Sequence, residues 1–317
     1  MRGPLGVSAV IMTAPSLALG AVSLIEGAGG VLHYTAPYPN EATLVALARA
    51  VDPVAIISRQ GTITAAIMDA APRLRIVARH GVGVDDVDLD AAQARGVMVT
   101  RAPGSNTRAV AEHTMAVLLA LIKRLPAHAT TIAGGGWRGD VVSGDVAGLR
   151  LGLVGAGDIA RAVARLAEAF GLHVTVFARN GTPGLKAAPS LARLLAESDI
   201  LSLHIPRTPA TIGLIDGDAL ATLPRGSWLI NTSRGGVVDE AALLNALDRG
   251  HIAGAALDVF AQEPLAVGDR LRTHPAVIAT PHAAGVTPGS MVTMGVRAAE
   301  CVTAMLRGHA PPAECVV

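Results

Sequence analysis

At 317 residues the chain is too long for one ordinary hydrophobic core and is expected to form two domains. Its formal net charge of +1 gives no basis for nucleic-acid binding or for attraction to an acidic surface. Hydrophobic residues make up 51%, mostly Ala, Val and Leu, a composition that alanine-rich helices on a buried parallel sheet produce without a membrane.

The segment from Leu5 to Ile25 carries no charge and follows Arg2, so a signal peptide or membrane span is the alternative to weigh there. Gly6, Pro15 and Gly20 interrupt it, and it divides into a short strand, Val7–Met12, a Thr-Ala-Pro turn and a helix ending at Gly27. A cytoplasmic protein with no membrane association is expected. Further strands are expected at Val54–Ser58, Ile76–Arg79 and Val97–Thr100, with helical stretches at Ala42–Arg49 and Leu89–Arg95 between them. A long helix should run from Thr107 to about Leu125, where Pro126 stops it, and Gly134–Gly136 with Trp137 reads as a loop. A second βα series then opens, with strands at Leu151–Val154, Val174–Phe177, Ile200–His204, Trp228–Asn231, Gly254–Leu257 and Val277–Ala279. A final helix spans about Ser290 to Leu306. Two cysteines, Cys301 and Cys315, have no spacing that resembles a metal or redox site and are expected as free thiols.

The second series begins with Leu151-Gly-Leu-Val-Gly155-Ala-Gly157-Asp158-Ile159-Ala160, which reads as strand, glycine turn and helix. Gly155 allows the turn, Gly157 lets the backbone approach a pyrophosphate, and Ala160 stands in the third glycine position, where helix meets strand. A glycine-rich turn occurs in many α/β proteins. Here it follows a strand and opens an amphipathic helix, which points to dinucleotide binding. The next strand ends in Phe177-Ala178-Arg179-Asn180, so Ala178 occupies the place of the acidic residue that would hold a ribose 2′-hydroxyl. Without that carboxylate, and with Arg179 beside it, NADP is the expected cofactor and NAD the alternative.

Four segments follow in order: Leu203-His204-Ile-Pro206, Asn231-Thr232-Ser233-Arg234-Gly-Gly, Leu257-Asp258-Val-Phe-Ala-Gln-Glu263-Pro264, and Thr280-Pro-His282-Ala-Ala-Gly285. With Arg79-His-Gly81-Val82-Gly83-Val-Asp85 and Ala109-Val-Ala-Glu112-His113 upstream, the chain closely resembles the D-isomer-specific 2-hydroxyacid dehydrogenase family over nearly its whole length. The resemblance implies a Rossmann cofactor domain, 103–286, inserted into a flavodoxin-like substrate domain formed by 1–102 and 287–317. Both are doubly wound parallel-sheet α/β domains, in a homodimer. It also implies a catalytic set of Arg234, Glu263 and His282. Gly155, Gly157, Asp158, Ile159, Ala178, Arg179, Asn180, His204, Pro206, Thr232, Ser233, Asp258 and Gly285 are implied around the cofactor. Arg59, Val82 and Gly83, with Arg234 and His282, are implied around the acid.

Residue chemistry supports the same set. Reducing a 2-keto acid requires a carboxylate anchor, which the forked guanidinium of Arg234 provides, and a proton donor. His282, with an ordinary pKa of about 6.5, suits the second task, and Glu263 beside it would favour the imidazolium. Glyoxylate and hydroxypyruvate are the expected substrates, on resemblance and on the scarcity of aromatic side chains. A non-catalytic NAD(P)-sensing corepressor and a formate or phosphite dehydrogenase are the alternatives. Glu112 and His113 read as helix packing or linking polar contacts, outside the catalytic set.

Overall fold

A computed structural model describes residues 8–137 and 141–317. It divides into two compact units, Met1–Asn106 with Val286–Val317, and Thr107–Gly285.

In the first unit the strands are β1 (Ser8–Met12), β2 (Gly30–Tyr34), β3 (Ala55–Ser58), β4 (Ile76–Arg79) and β5 (Met98–Thr100). They form one parallel sheet in the order β2-β1-β3-β4-β5. Val7, assigned by sequence to the first strand, lies outside the described residues. Helix α1 (Leu19–Glu26) shares one face of the sheet with the unit's last helix, and their apolar residues close over Val10, Met12, Ile57 and Ala78. The other face is covered by α2 (Glu41–Val51), α3 (Ala65–Asp69) and α4 (Leu89–Ala94), over Ile11, Ile56 and Val77. Strands buried on both faces need no polar alternation, which is why β3 is entered through the continuous apolar run Val54-Ala55-Ile56-Ile57.

The second unit opens with α5 (Thr107–Ile122) and α6 (Leu125–Ala133). Here the structure corrects the single long helix ended by proline. The chain breaks at Lys123 and Arg124, with Arg124 left-handed, and Pro126 lies in the first turn of α6, where its missing N–H costs nothing. Among the described residues no single helix is long and apolar enough to cross a membrane. The α5–α6 pair would suffice in length and composition, but it bends by 61° and α5 has eight buried residues.

Six parallel strands follow: β6 (Arg150–Val154), β7 (His173–Phe177), β8 (Ile200–Leu203), β9 (Ser227–Asn231), β10 (Ile252–Leu257) and β11 (Val277–Ala279), in the order β11-β10-β9-β8-β6-β7. Helices α5 and α7 (Asp158–Ala169) cover one face. Helices α8 (Leu191–Ala196), α9 (Gly217–Thr222) and α10 (Glu240–Asp248) cover the other. The strand order reverses between β6 and β8, and in a doubly wound sheet the crevice beyond the carboxyl ends at such a reversal is where ligands bind. The closing helix, α11 (Pro288–Leu306), belongs to the first unit and carries a capping box between Thr287 and Ser290. Cys301 and Cys315 are both free and buried.

Candidate active site

The crevice between β6 and β8 holds a cavity of about 430 Å³, lined by Gly155, Gly157, Ala178, Arg179 and Asn180 among others. Gly155 sits at φ 108°, and a Cβ there would lie 2.3 Å from the carbonyl oxygen of His204. The loop can pass over the end of β8 only because that side chain is missing. Gly157 is different: a Cβ there would meet nothing within 4 Å. It is the N-cap of α7, receives no side-chain cap, and so leaves the first-turn N–H groups open to an anion. Ala160 is fully buried where α7 meets the sheet.

At the end of β7, Ala178 and Arg179 line the same cavity as the sequence pattern requires, and no carboxylate is among the lining residues. Sequence reading missed Arg161, which also lines it and donates from Nη1 to the Pro183 carbonyl at 2.6 Å. The signal was available, since Arg161 lies one helical turn beyond Gly157. A glycine-lined crevice with an open helix N-terminus, two guanidinium groups and no acid fits a dinucleotide phosphate chain.

The remaining expected cofactor residues lie outside that cavity. Asp158 and Ile159 occupy the first turn of α7, with Ile159 packed on the core. His204 Nε2 lies 3.0 Å from Ser202 Oγ, and desolvation pushes its pKa down to about 4, so the ring stays neutral. The carbonyl of Pro206 accepts from Thr211 Oγ1 at 2.7 Å. Gly285 ends the unit.

Beyond β9, the side chain of Asn231 shapes a turn from within. Its Oδ1 accepts from Ser233 N and Oγ, at 3.1 and 2.8 Å, and its Nδ2 donates to the Arg234 carbonyl at 2.9 Å. Thr232 and Ser233 are thereby buried and Arg234 is carried to the rim. Gly235 follows without space for any side chain, because a Cβ there would stand 1.7 Å from the Phe260 carbonyl oxygen.

Beyond β10, Glu263 folds back on its own loop. Its Oε1 accepts from the Phe260 N–H at 3.0 Å, and its Oε2 lies 2.8 Å from His282 Nδ1. A carboxylate accepts only, so Nδ1 of His282 carries the hydrogen. This hydrogen bond raises the His282 pKa above its ordinary value against the opposing effect of burial. The charges of Glu263 and Asp258 add to the rise and that of Arg234 subtracts from it. Burial pushes Glu263 upward, but the bonds from His282 and Phe260, with the charges of His282 and Arg234, outweigh it and leave its pKa lowered. The Glu263 and His282 side chains stay 36% and 52% exposed, so a ligand can reach them. The structure thus brings together the three residues expected to act together.

Asp258 has a role that sequence reading did not foresee. It is buried, and its carboxylate accepts from Thr280 Oγ1 at 2.5 Å and from the N–H groups of Ala283 and Ala284 at 2.8 and 2.9 Å. Its own carbonyl accepts from the His282 N–H at 2.8 Å. The Asp258 residue therefore clamps the turn that presents His282, which is itself left-handed at φ 53°.

In the first unit, Arg79 joins the ends of β3 and β4. Its Nη1 donates to the carbonyls of Ser58 and Arg59, both at 2.9 Å, and its Nε to that of Gly83 at 3.0 Å. Arg59, Val82 and Gly83 thus belong to one cross-braced pair of loops. Gly81 is not required by the local packing, since a Cβ there would meet nothing closer than 3.9 Å.

Residues 115–284 match the model of the D-isomer specific 2-hydroxyacid dehydrogenase NAD binding domain. The D-3-phosphoglycerate dehydrogenase of Mycobacterium tuberculosis is 42% identical over 258 residues, which is 79% of this chain and 48% of that protein. The chain therefore spans about half the length of that relative. The glyoxylate reductase of Korarchaeum cryptofilum is 39% identical over 261 residues, covering 79% of this chain and 78% of that one. Among solved structures, the TT0316 protein of Thermus thermophilus superposes with a TM-score of 0.90 at 37% identity, over 98% of this chain and 99% of that one.

Proposed function

Because the chain belongs to the D-isomer-specific 2-hydroxyacid dehydrogenase family, we propose that it reduces a small 2-keto acid to the D-2-hydroxy acid with NADPH, and catalyses the reverse oxidation. The observation that carries the reading is the His282–Glu263 pair at 2.8 Å, under the charge of Arg234 and in the same unit as the phosphate-binding crevice. When bound, the reduced nicotinamide supplies the hydride that the carbonyl carbon accepts.

His282 supplies the proton. With Nδ1–H held by Glu263, Nε2 is the atom that hands a proton to the substrate oxygen, and the raised pKa favours the charged ring that carries that proton. In oxidation neutral Nε2 takes the hydroxyl proton as the hydride leaves carbon. Arg234 forks onto the carboxylate and the developing alkoxide. Within the first unit, Arg59 with the backbone of Val82 and Gly83 is proposed as a further anion-binding turn, supported by the Arg79 bracing.

The preference for NADPH rests on Ala178, Arg179 and Arg161 in an acid-free lining. Glyoxylate and hydroxypyruvate are the proposed substrates, supported by the Korarchaeum relative's name. The test is oxidation of NADPH and NADH, each with glyoxylate, hydroxypyruvate, pyruvate and 3-phosphohydroxypyruvate, beside formate and phosphite with the oxidised cofactors. Turnover of a 2-keto acid faster with NADPH is expected. Cofactor binding without turnover across the panel would replace the enzyme with a sensor.

A further inference from the structure

Two consecutive residues of α5 reach the two loops to which the proposed chemistry is assigned. Thr114 Oγ1 lies 2.9 Å from Thr232 Oγ1, two residues before Arg234. His113 Nε2 lies 3.3 Å from Thr280 Oγ1, two residues before His282. The Glu112–His113 pair, which the sequence marks as helix packing or linking polar contacts, thus splits. Glu112 makes an exposed ion pair with Arg108 at 2.6 Å, while the His113 side chain is 22% exposed and turned to the site.

The direction of each hydrogen bond along this chain is forced. The Asp258 carboxylate can only accept, so the Thr280 hydroxyl donates to it at 2.5 Å. That hydroxyl has one hydrogen, and what remains on Oγ1 for His113 is lone pairs. Nε2 of His113 must therefore be the donor. The Asp258 carboxylate so oriented holds the N–H groups of Ala283 and Ala284 on either side of its two oxygens. His282 is left-handed, a conformation that L side chains rarely adopt. Hydrogen bonds from outside the turn hold it in place.

We propose that His113 is a positioning residue for His282, acting through the Thr280 hydroxyl and the Asp258 carboxylate. The effect on catalysis rests on the role proposed for His282; the hydrogen on Nε2 of His113 does not. Loss of the donor frees Thr280 to rotate, and Asp258 with it, so that His282 Nε2 wanders from the line of proton delivery. Proton transfer is sensitive to such misplacement, whereas the phosphate-binding crevice at Gly155 and Gly157 is lined by none of these residues.

The experiment compares His113→Phe with His113→Gln, whose side-chain amide retains an N–H donor at similar reach. For His113→Phe, kcat for 2-keto acid reduction is expected to fall about ten-fold with an enlarged solvent deuterium isotope effect and an unchanged KM for the cofactor. His113→Gln should recover most of that loss. Wild-type kcat in the Phe variant, or a Gln variant no faster than Phe at equal thermal stability, overturns the proposal. Nitrogen-15 NMR of the wild type gives a readout independent of turnover. Hydrogen on Nε2 of His113 is expected, and hydrogen on Nδ1 alone overturns the proposal even in an active enzyme. Should the wild type reduce no 2-keto acid, the function proposed above fails, and the tautomer still decides whether this chain of bonds exists.

Discussion

Nδ1 of His282 and Oε2 of Glu263 stand 2.8 Å apart, and each shifts the other's proton affinity toward the charged pair. Reduction uses imidazolium, so reductive kcat should stay flat at low pH and fall as pH rises through the raised His282 value. Glu263→Gln removes the largest raising cause, and the falling limb should move to lower pH. The checking measurement is kcat against pH for both proteins, and an unmoved limb would show that Glu263 does not set the His282 charge. Stability follows the same signs. The raised His282 contributes below its ordinary pKa of about 6.5 and loses its contribution as pH rises through the folded value. The lowered Glu263 contributes above about 4.3 and loses its contribution as pH falls. The stability gap between wild type and Glu263→Gln should therefore be widest between those two values.

Asp258 faces two backbone N–H groups and a hydroxyl, all donors. Asp258→Asn would set an amide N–H₂ against one of them, leaving a buried donor unpaired. A loss of about 1–3 kcal/mol in urea unfolding is expected. Because the Asp258 charge also raises the His282 pKa, the reductive pH limb should move down in this variant too. Unchanged stability together with an unmoved limb would remove the clamp from the account.

Ala178→Asp places a carboxylate in the cavity beside Arg179. Repulsion of a 2′-phosphate should raise the dissociation constant for NADPH by about ten-fold or more, while NADH binds as well or better. Fluorescence titration of both cofactors checks this, and equal weakening of the two would mean that Ala178 does not face the 2′ position.

Gly235→Ala brings a Cβ to 1.7 Å from the Phe260 carbonyl oxygen, and backbone rather than a flexible side chain must give way. A destabilisation of about 3 kcal/mol or more is expected from denaturant unfolding, with Arg234 displaced and turnover lost. A variant as stable as wild type would show that the two loops separate easily.

The buried parts of the molecule were the most legible. Strands such as Ala55–Ser58 and Ile200–Leu203 are buried along their whole length because helices cover both faces, and such apolar-rich runs stand out in sequence. The strand that sequence reading missed, Gly30–Tyr34, lies at the sheet edge with most residues half-buried or exposed, so it lacks that run. Pro126 misled for a different reason. A proline ends a helix at its interior but suits its first turn, and only the left-handed Arg124 distinguishes the two cases. Arg234, Glu263 and His282 were readable as members of ordered motifs. The clamp by Asp258 and its tie to His113 were not, because their links to Thr280 join residues 22 and 167 positions apart through single hydroxyl and carboxylate oxygens. Hydrogen bonds of that kind leave no periodicity in the chain.

The second unit begins with helix α5 and ends at Gly285, and the His113–Thr280 bond ties its first helix to its last turn. The chain thus enters and leaves this unit beside a shared hydrogen bond, with His282 three positions before the exit. For anyone transplanting the unit as a cassette, the exit junction is the delicate one. A graft boundary drawn before Gly285 would cut into the turn held by Asp258, whereas one drawn beyond it carries His282 and its supports across together.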